Sequence, residues 1–426
     1  MRILFIVPYM PNLVRVRSYQ FIRSLTKRGH ELTVATLWTN TAEKQAMSAL
    51  EAQCHEVIAF PMGKARSFGN CLGALLGKEP LQSVYSWQPR MALALRERVH
   101  GNHGKSEFDI VHVEHLRGVR YGLEINSKRF GNKQPQPVVW DSVDSISHLF
   151  RQSAQYSRSQ IYRWITRFEL KRTQRYETWL LSQFKRIVVT SPIDKEAFLS
   201  LAENNPGKLA VKTTPENIDH RIAVVPNGVD LDYFTPGKFE DKQPDTIILS
   251  GKMSYHANIS MAIFFAEQIF PLVLARHPQA RLVIVGKDPS KAVKDLARNP
   301  AIQVTGEVQD IRPYIQKAAV AVAPVVYGAG IQNKVLEAMA CATPVVASPQ
   351  AVSALNTRAG IDLEVAESPE KMAAIILELL KEPQRRQALA EGGRRFVEDH
   401  HTWDGAAASL EKAYEEAIRA ATHRQG

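Results

Sequence analysis

The chain has 426 residues, 45% of them hydrophobic and 23% charged, with 23 glycines and 23 prolines; this length predicts two or three domains, and the balance excludes collagen-like and disordered classes. Three cysteines, Cys54, Cys71 and Cys341, form neither an even set nor a C-x-x-C, which argues against a disulfide scaffold or zinc knot and predicts a reducing, cytoplasmic setting. The net charge of +11 is unevenly placed: residues 1–200 hold 29 basic and 16 acidic side chains, the remainder 25 and 27.

The opening MRILFIVPYMP carries an apolar run, Ile3 to Val7, that is too short for a signal peptide and ends at proline like a buried strand entering a loop. Nowhere do 18 uncharged apolar residues run together, so no spanning helix is predicted and any membrane association would be peripheral, on the inner face. Further strands are predicted at 32–36, 57–60, 110–113, 138–140 and 187–190, each followed by a helical pattern. A polar stretch, 203–220, follows as the interdomain candidate. A second series of strands is predicted at 222–225, 246–249, 282–285, 302–305, 320–323 and 345–347, then helices to the end. Alternating βα units of this kind predict two doubly wound α/β domains, 1–218 and 219–402, with a C-terminal helix, 403–426, packing back on the first. Ligands of such sheets bind at the carboxyl ends of the strands.

The most informative stretch runs from Tyr327 to Cys341, YGAGIQNKVLEAMAC. A glycine-bearing loop leaves a strand, Asn333 can cap, and a helix-forming run begins at Lys334. Backbone N–H groups of Gly330, Ile331, Gln332 and Asn333 at such a helix start suit a phosphate. Lys334 and Glu337 share one helix face. They can meet a ligand's anion and its diol, or form a plain ion pair on a crossover helix.

This stretch resembles the signature of retaining glycosyltransferase family 4, and a variant of it found in exopolysaccharide and exosortase-associated sugar transferases. The resemblance implies a GT-B fold, two Rossmann-like domains facing across a cleft, with Glu337 on the ribose of a nucleotide. The family's first signature glutamate falls on Ala329 and is absent. Pro226 to Pro236, PNGVDLDYFTP, is similar to the opening of the family's second domain, and its Asp230-Leu-Asp232 reads as a turn rather than a metal site. Leu282–Gly286 and Val304–Val308 resemble the strand ends beneath the donor, where Val308 would meet the base. The family's two diphosphate cations fall on Lys252 and Asn258, so one is retained in type. Arg15 and Arg17 follow the first βα loop, where the family has a glycine pair; they would bind anion or acceptor, or stand as solvated first-turn residues.

Asp109-Ile-Val-His-Val-Glu-His115 resembles the family's strand end beside the transferred sugar, which assigns His115 and then Glu114 to that sugar and leaves His112 as a packed core residue. Asp141 and Asp144 follow another strand; Asp144 can orient an acceptor hydroxyl or cap the next helix. Residues 151–186 hold nine basic side chains, Arg158 among them, with Ile161, Trp164, Ile165, Phe168, Tyr176, Trp179, Leu180 and Phe184 at helical spacing. That pattern fits a crossover helix packed on its sheet better than one lying on an anionic membrane. Lys64, Arg66 and Lys78 around the apolar patch 71–76 keep an acidic surface in play.

The implied activity is metal-independent, cofactor-free retaining transfer of a sugar from a nucleoside diphosphate sugar to a glycan or lipid-linked acceptor. A +13 first half fits an anionic acceptor or membrane, and no nucleic-acid motif is present. An epimerase of the same fold and a non-catalytic nucleotide-sugar-binding relative are the alternatives.

Overall fold

The computed structural model describes residues 1–12, 15–100, 106–127, 136–156, 160–205, 207, 209, 214–327 and 330–422; Arg158 and Ala329 lie outside them, and the side chain of Ile161 is likewise not described. The chain divides into two compact units, the first made of Met1–Arg151, Ile165–Pro226 and Ala406–Gly426, the second of Gln152–Trp164 and Asn227–Gly405.

The first unit is built on seven parallel strands: β1 (Arg2–Val7), β2 (Glu31–Trp38), β3 (Glu56–Pro61), β4 (Ile110–Glu114), β5 (Val138–Val143), β6 (Arg186–Val189) and β7 (Ile222–Val224). Their order is β3-β2-β1-β4-β5-β6-β7. The runs are Val- and Ile-rich and buried on both faces, as parallel strands covered by helices must be. Trp140 of β5 is fully buried between Phe184 and Phe198, at ring centroid distances of 5.7 and 5.8 Å.

The second unit has six parallel strands: β8 (Gln243–Ser250), β9 (Arg281–Val285), β10 (Ile302–Gly306), β11 (Ala318–Ala323), β12 (Val345–Ala347) and β13 (Glu364–Val365), in the order β10-β9-β8-β11-β12-β13. Both sheets reverse direction of winding beside their first strand, between β1 and β4 and between β8 and β11. Those are the switch points at which doubly wound sheets open a crevice.

The predicted boundary at 218/219 moves. β7 pairs in register with β6, Ile187 opposite Ile222, and so completes the first sheet; the change of unit falls at Asn227. A short apolar run after a polar linker is locally indistinguishable from the start of a new sheet, and only its pairing decides. The PNGVD segment is structural. Val229 N–H donates to His401 O at 2.8 Å, and a Cβ on Gly228 would lie 2.5 Å from Trp403 N, so only glycine fits there. Asp230 Oδ1 accepts from Tyr233 N–H at 3.1 Å, which makes the D-x-D a turn.

The helix Trp403–Thr422 crosses from the second unit's residues into the first's; from Ala406 onward it packs on the first sheet, where the Tyr414 hydroxyl meets His112 Nδ1 at 2.9 Å. The basic helix Gln160–Gln183 divides in two: Tyr176 and Leu180 are buried, as is Phe184 just beyond its end, whereas Trp164, Ile165 and Phe168 are exposed. Among the described residues one helical run, His256–Leu274, is long and apolar enough by composition to span a membrane, but its most apolar stretch is 56% buried in the protein.

Candidate functional site

In the second unit the site grows from three strand ends, each closing on a glycine: Gly251 after β8, Gly286 after β9 and Gly306 at the end of β10. All three have positive φ, 147°, 153° and 73°. Gly251 N–H donates to Val285 O at 3.0 Å and Gly286 N–H to Gly306 O at 3.2 Å, so the loops leave the sheet in close backbone contact.

The helix Asn333–Ala340 starts at this switch point. Gln332 occupies its N-cap position without a side-chain cap, and Asn333 is the first helical residue rather than the cap; its Oδ1 accepts from Asn227 Nδ2 at 3.2 Å. Lys334 and Glu337 do not form the plain ion pair that their spacing allowed. Lys334 Nζ instead donates to Asn258 Oδ1 at 2.9 Å and Gln332 Oε1 at 3.1 Å, and Asn258 Nδ2 donates to Lys252 O at 3.0 Å. Four sequence-predicted residues, Lys252, Asn258, Gln332 and Lys334, are thereby joined through hydrogen bonds at the start of the helix that Asn333 opens.

Burial pushes the Lys334 ammonium down to about 8 and the Glu337 carboxyl up to about 7, the proximity of each only partly offsetting the effect on the other. A pair so desolvated gains from a ligand that brings an anion to the lysine and hydroxyls to the carboxylate. Gly330 has φ 76°, Ile331 packs on the core, and Val308, just beyond β10, is half-buried against the same core. Sequence reasoning passed over His256 and the Tyr327 side chain, whose Nδ1 and hydroxyl meet at 2.8 Å with stacked rings. They lie 71 residues apart and share no motif.

In the first unit the corresponding switch point gathers Tyr9, Arg15, Glu114 and His115. The Tyr9 hydroxyl donates to Glu114 Oε1 and its ring lies 6.5 Å from that of His115. Strict alternation would separate Glu114 from His115, but His115 has φ 64°, which turns its ring back to the same tyrosine. Non-glycine residues held in that region store strain, a recurrent feature of functional sites. Arg15 stacks over Tyr9 at 4.6 Å and remains at the loop.

Arg17 corrects its expected role. It is 5% exposed, and its Nε and Nη2 lie 2.9 Å from Asp141 Oδ2 while Nη1 donates to Val225 O at 3.0 Å. An arginine spent on a buried carboxylate cannot also receive a ligand's anion. His112 is fully buried, stacked on Phe5 at 4.0 Å. Asp144 takes no capping role: its Oδ1 accepts from Thr190 Oγ1 at 3.1 Å, and burial, with the charge of Asp194, raises its pKa. The following helix is capped by Glu177, which accepts from Ile146 N–H at 2.8 Å.

Burial, helped by the charge of Asp141, raises Glu114 to about 7. Since its unfolded value is near that of a free carboxyl, the folded chain holds the extra proton between about pH 4.5 and 7, and stability falls as pH rises through that window. Glu114→Gln, which keeps an acceptor for Tyr9, is therefore expected to add about 3 kcal/mol at pH 8 and nothing near pH 4.5. Urea unfolding at the two pH values checks this; an equal effect at both would mean that Glu114 is ionised throughout.

Residues 244–382 match the family model Glycosyl transferases group 1. Over 206 residues the chain is 29% identical to the GDP-mannose-dependent monoacylated alpha-(1-6)-phosphatidylinositol monomannoside mannosyltransferase of Corynebacterium glutamicum, covering 42% of this chain and about half the length, 52%, of that relative. Among solved structures, sucrose-phosphate synthase from Thermosynechococcus elongatus superposes with a TM-score of 0.65 at 16% identity, over 98% of this chain and 99% of that one. Anabaena HepE in complex with UDP and glucose gives a TM-score of 0.65 at 14% identity, over 97% and 99%. The strand orders, the matched residues and these neighbours agree: the second unit carries a glycosyl transferases group 1 domain, and the chain has the two-unit GT-B fold of glycosyltransferases.

Proposed function

We propose that this chain is a retaining glycosyltransferase that moves a sugar from a nucleoside diphosphate sugar to a hydroxyl of a surface glycan or lipid-linked precursor at the cytoplasmic side of the membrane. The observation that carries the reading is Lys334, steered by Asn258 and Gln332 at a helix N-terminus beside half-buried Glu337. Lys334, with the exposed Lys252 and the N–H groups of residues 330–333, would stabilise the departing diphosphate, and Glu337 would accept from the ribose diol. Glu114, His115 and Tyr9 would contact the transferred sugar or its acceptor. In this reading the chain's own cations and backbone carry the leaving-group charge, so transfer should persist in excess EDTA.

The curated relative uses GDP-mannose and HepE was solved with UDP, so a thermal-shift panel of UDP-, GDP- and TDP-sugars is the first experiment. With the stabilising nucleotide in hand, Glu337→Ala should weaken its affinity about tenfold, equivalent to about 1.4 kcal/mol, while leaving the melting temperature of the free protein nearly unchanged. Unaltered affinity by calorimetry would remove Glu337 from the site. Release of free donor sugar without transfer to any acceptor would favour a hydrolytic role over glycan synthesis.

A further inference from the structure

The helix Lys64–Leu75 in the first unit is inside out. Its buried stripe is small or polar: Ser67 and Ala74 are buried, Asn70 Nδ2 donates to Val84 O at 3.0 Å and Trp87 O at 2.9 Å, and Cys71 Sγ lies 3.9 Å from Leu81 O. The opposite stripe, at i, i+4, i+7 and i+8, consists of Phe68, Leu72, Leu75 and Leu76, which are 66, 49, 46 and 99% exposed. A surface helix of a free-standing globule has the reverse arrangement, and apolar side chains gathered in this way mark an interaction surface.

The patch extends beyond the helix. Arg172 Nη2 donates to the carbonyls of Ala74, Gly77 (3.1 Å) and Glu79 (2.6 Å), closing the helix C-terminus, and its guanidinium lies over the exposed Phe168 ring at 5.4 Å. The charge along the helix itself has one sign. Residues 64–78 contain Lys64, Arg66 and Lys78 and no acid. Two carboxylates that flank the turn after it have partners: Glu79 pairs with Arg120 at 3.7 Å, and buried Glu169 accepts from Leu81 N–H at 2.7 Å. Along the flank of the helix runs an open groove of about 650 Å³ lined by Arg66, Arg90, Asn70 and Gln88, again without a carboxylate.

An apolar stripe bordered mainly by cations selects its partner. A second copy of the same face would bring Lys64, Arg66 and Lys78 against their own images across a twofold axis, and like charges there oppose association. An anionic bilayer satisfies both features: the leucines and Phe68 enter the acyl boundary while the basic side chains meet headgroup phosphates. We propose that the helix Lys64–Leu75, with Phe68, Leu72, Leu75 and Leu76 inserted and Arg66 and Arg90 on lipid phosphate, docks the first unit on acidic membranes. The inference rests on this helix and not on the transferase reading, and lipid binding is measured without nucleotide, so the two can fail separately.

The test is co-sedimentation of the full chain with vesicles of phosphatidylcholine alone or with 30% phosphatidylglycerol, a composition chosen here at about physiological acidity, at low and at physiological salt. Binding is expected only to the acidic vesicles and should weaken with salt. The triple variant Phe68→Ser/Leu72→Ser/Leu76→Ser should lose at least about tenfold in partitioning, and Lys64→Ser with Lys78→Ser about fivefold per residue removed. Leu272→Ser, an exposed leucine of the second unit, should change nothing; all these positions are exposed, and circular dichroism confirms folding of each variant. Equal binding of wild type and triple variant would overturn the proposal. So would a wild-type dimer that becomes monomeric in the triple variant while binding no vesicle, because the face would then belong to a second copy.

Discussion

Gly286→Ala is expected to destabilise the second unit by about 4 kcal/mol, combining backbone strain and steric overlap of about 1–3 kcal/mol each, and to abolish nucleotide binding in whatever fraction remains folded. Gly286 sits at φ 153°, and a Cβ there would lie 1.8 Å from Gly251 O. That contact is backbone against backbone, so no rotamer can relieve it. Relief would require the loop after β8 to move, and that loop holds Lys252, whose carbonyl positions Asn258 and, through it, Lys334. Gly251, at φ 147°, is less crowded: its own Cβ would meet the Asn258 side chain, Nδ2 at 2.9 Å, rather than backbone. Gly306→Ala is the matched control: φ is 73°, but nothing lies within 4 Å of the added carbon. It should cost only about 1 kcal/mol. Urea denaturation and nucleotide titration of both variants decide the matter; equal losses at the two positions would show that positive φ alone, and not the close approach, is what glycine provides at Gly286.

Periodicity located the central strands because each is a short β-branched run that must be apolar on both faces, and β1, β4, β9 and β11 fall within a residue or two of their predicted bounds. The donor-side constellation was legible for a different reason. Gln332, Asn333, Lys334 and Glu337 are neighbours in sequence, on one loop and one helix turn, so their spacing already determines their relation. Where residues meet only through the fold, sequence could say less. His256 and Tyr327, or Tyr9 and Glu114, are brought together by parallel strands whose pairing no local pattern encodes. Arg17 misled for the same reason: a cation in the first turn after a strand looks available until its partner, Asp141, 124 residues away, is in place. The apolar patch 71–76 was visible in the sequence, but which side of a helix faces the core is a property of its neighbours. Here Val84, Trp87 and Leu81 offer carbonyls rather than apolar surface, so the polar stripe turns inward.

Arg17→Met should cost about 3–5 kcal/mol at pH 8, the loss typical of leaving one member of a buried ion pair alone. Asp141 is fully buried, and burial already raises its pKa even though Arg17 and the Val143 N–H, at 3.0 Å, favour its charged form. Without Arg17 the raised value rises further. The folded chain then holds a proton that the unfolded chain releases, so the penalty grows as pH rises above the ordinary carboxylate range and shrinks toward pH 4. His112 Nε2, 3.9 Å from Asp141 Oδ2, cannot replace the lost cation, because complete burial holds its pKa well below the usual imidazole range whether or not the guanidinium is present. A second term does not titrate: Arg17 Nη1 also holds Val225 O, at the point where the chain leaves β7 for the second unit. The double variant Arg17→Met/Asp141→Asn separates the two, because a neutral amide restores hydrogen bonding without a buried charge. It should regain most of the stability at pH 8 and lose the pH dependence, leaving about 1 kcal/mol for the missing bond to Val225. If the single variant were as stable as wild type at pH 8, Asp141 would have to be protonated in the native protein. Arg17 would then be a buried cation beside a neutral partner.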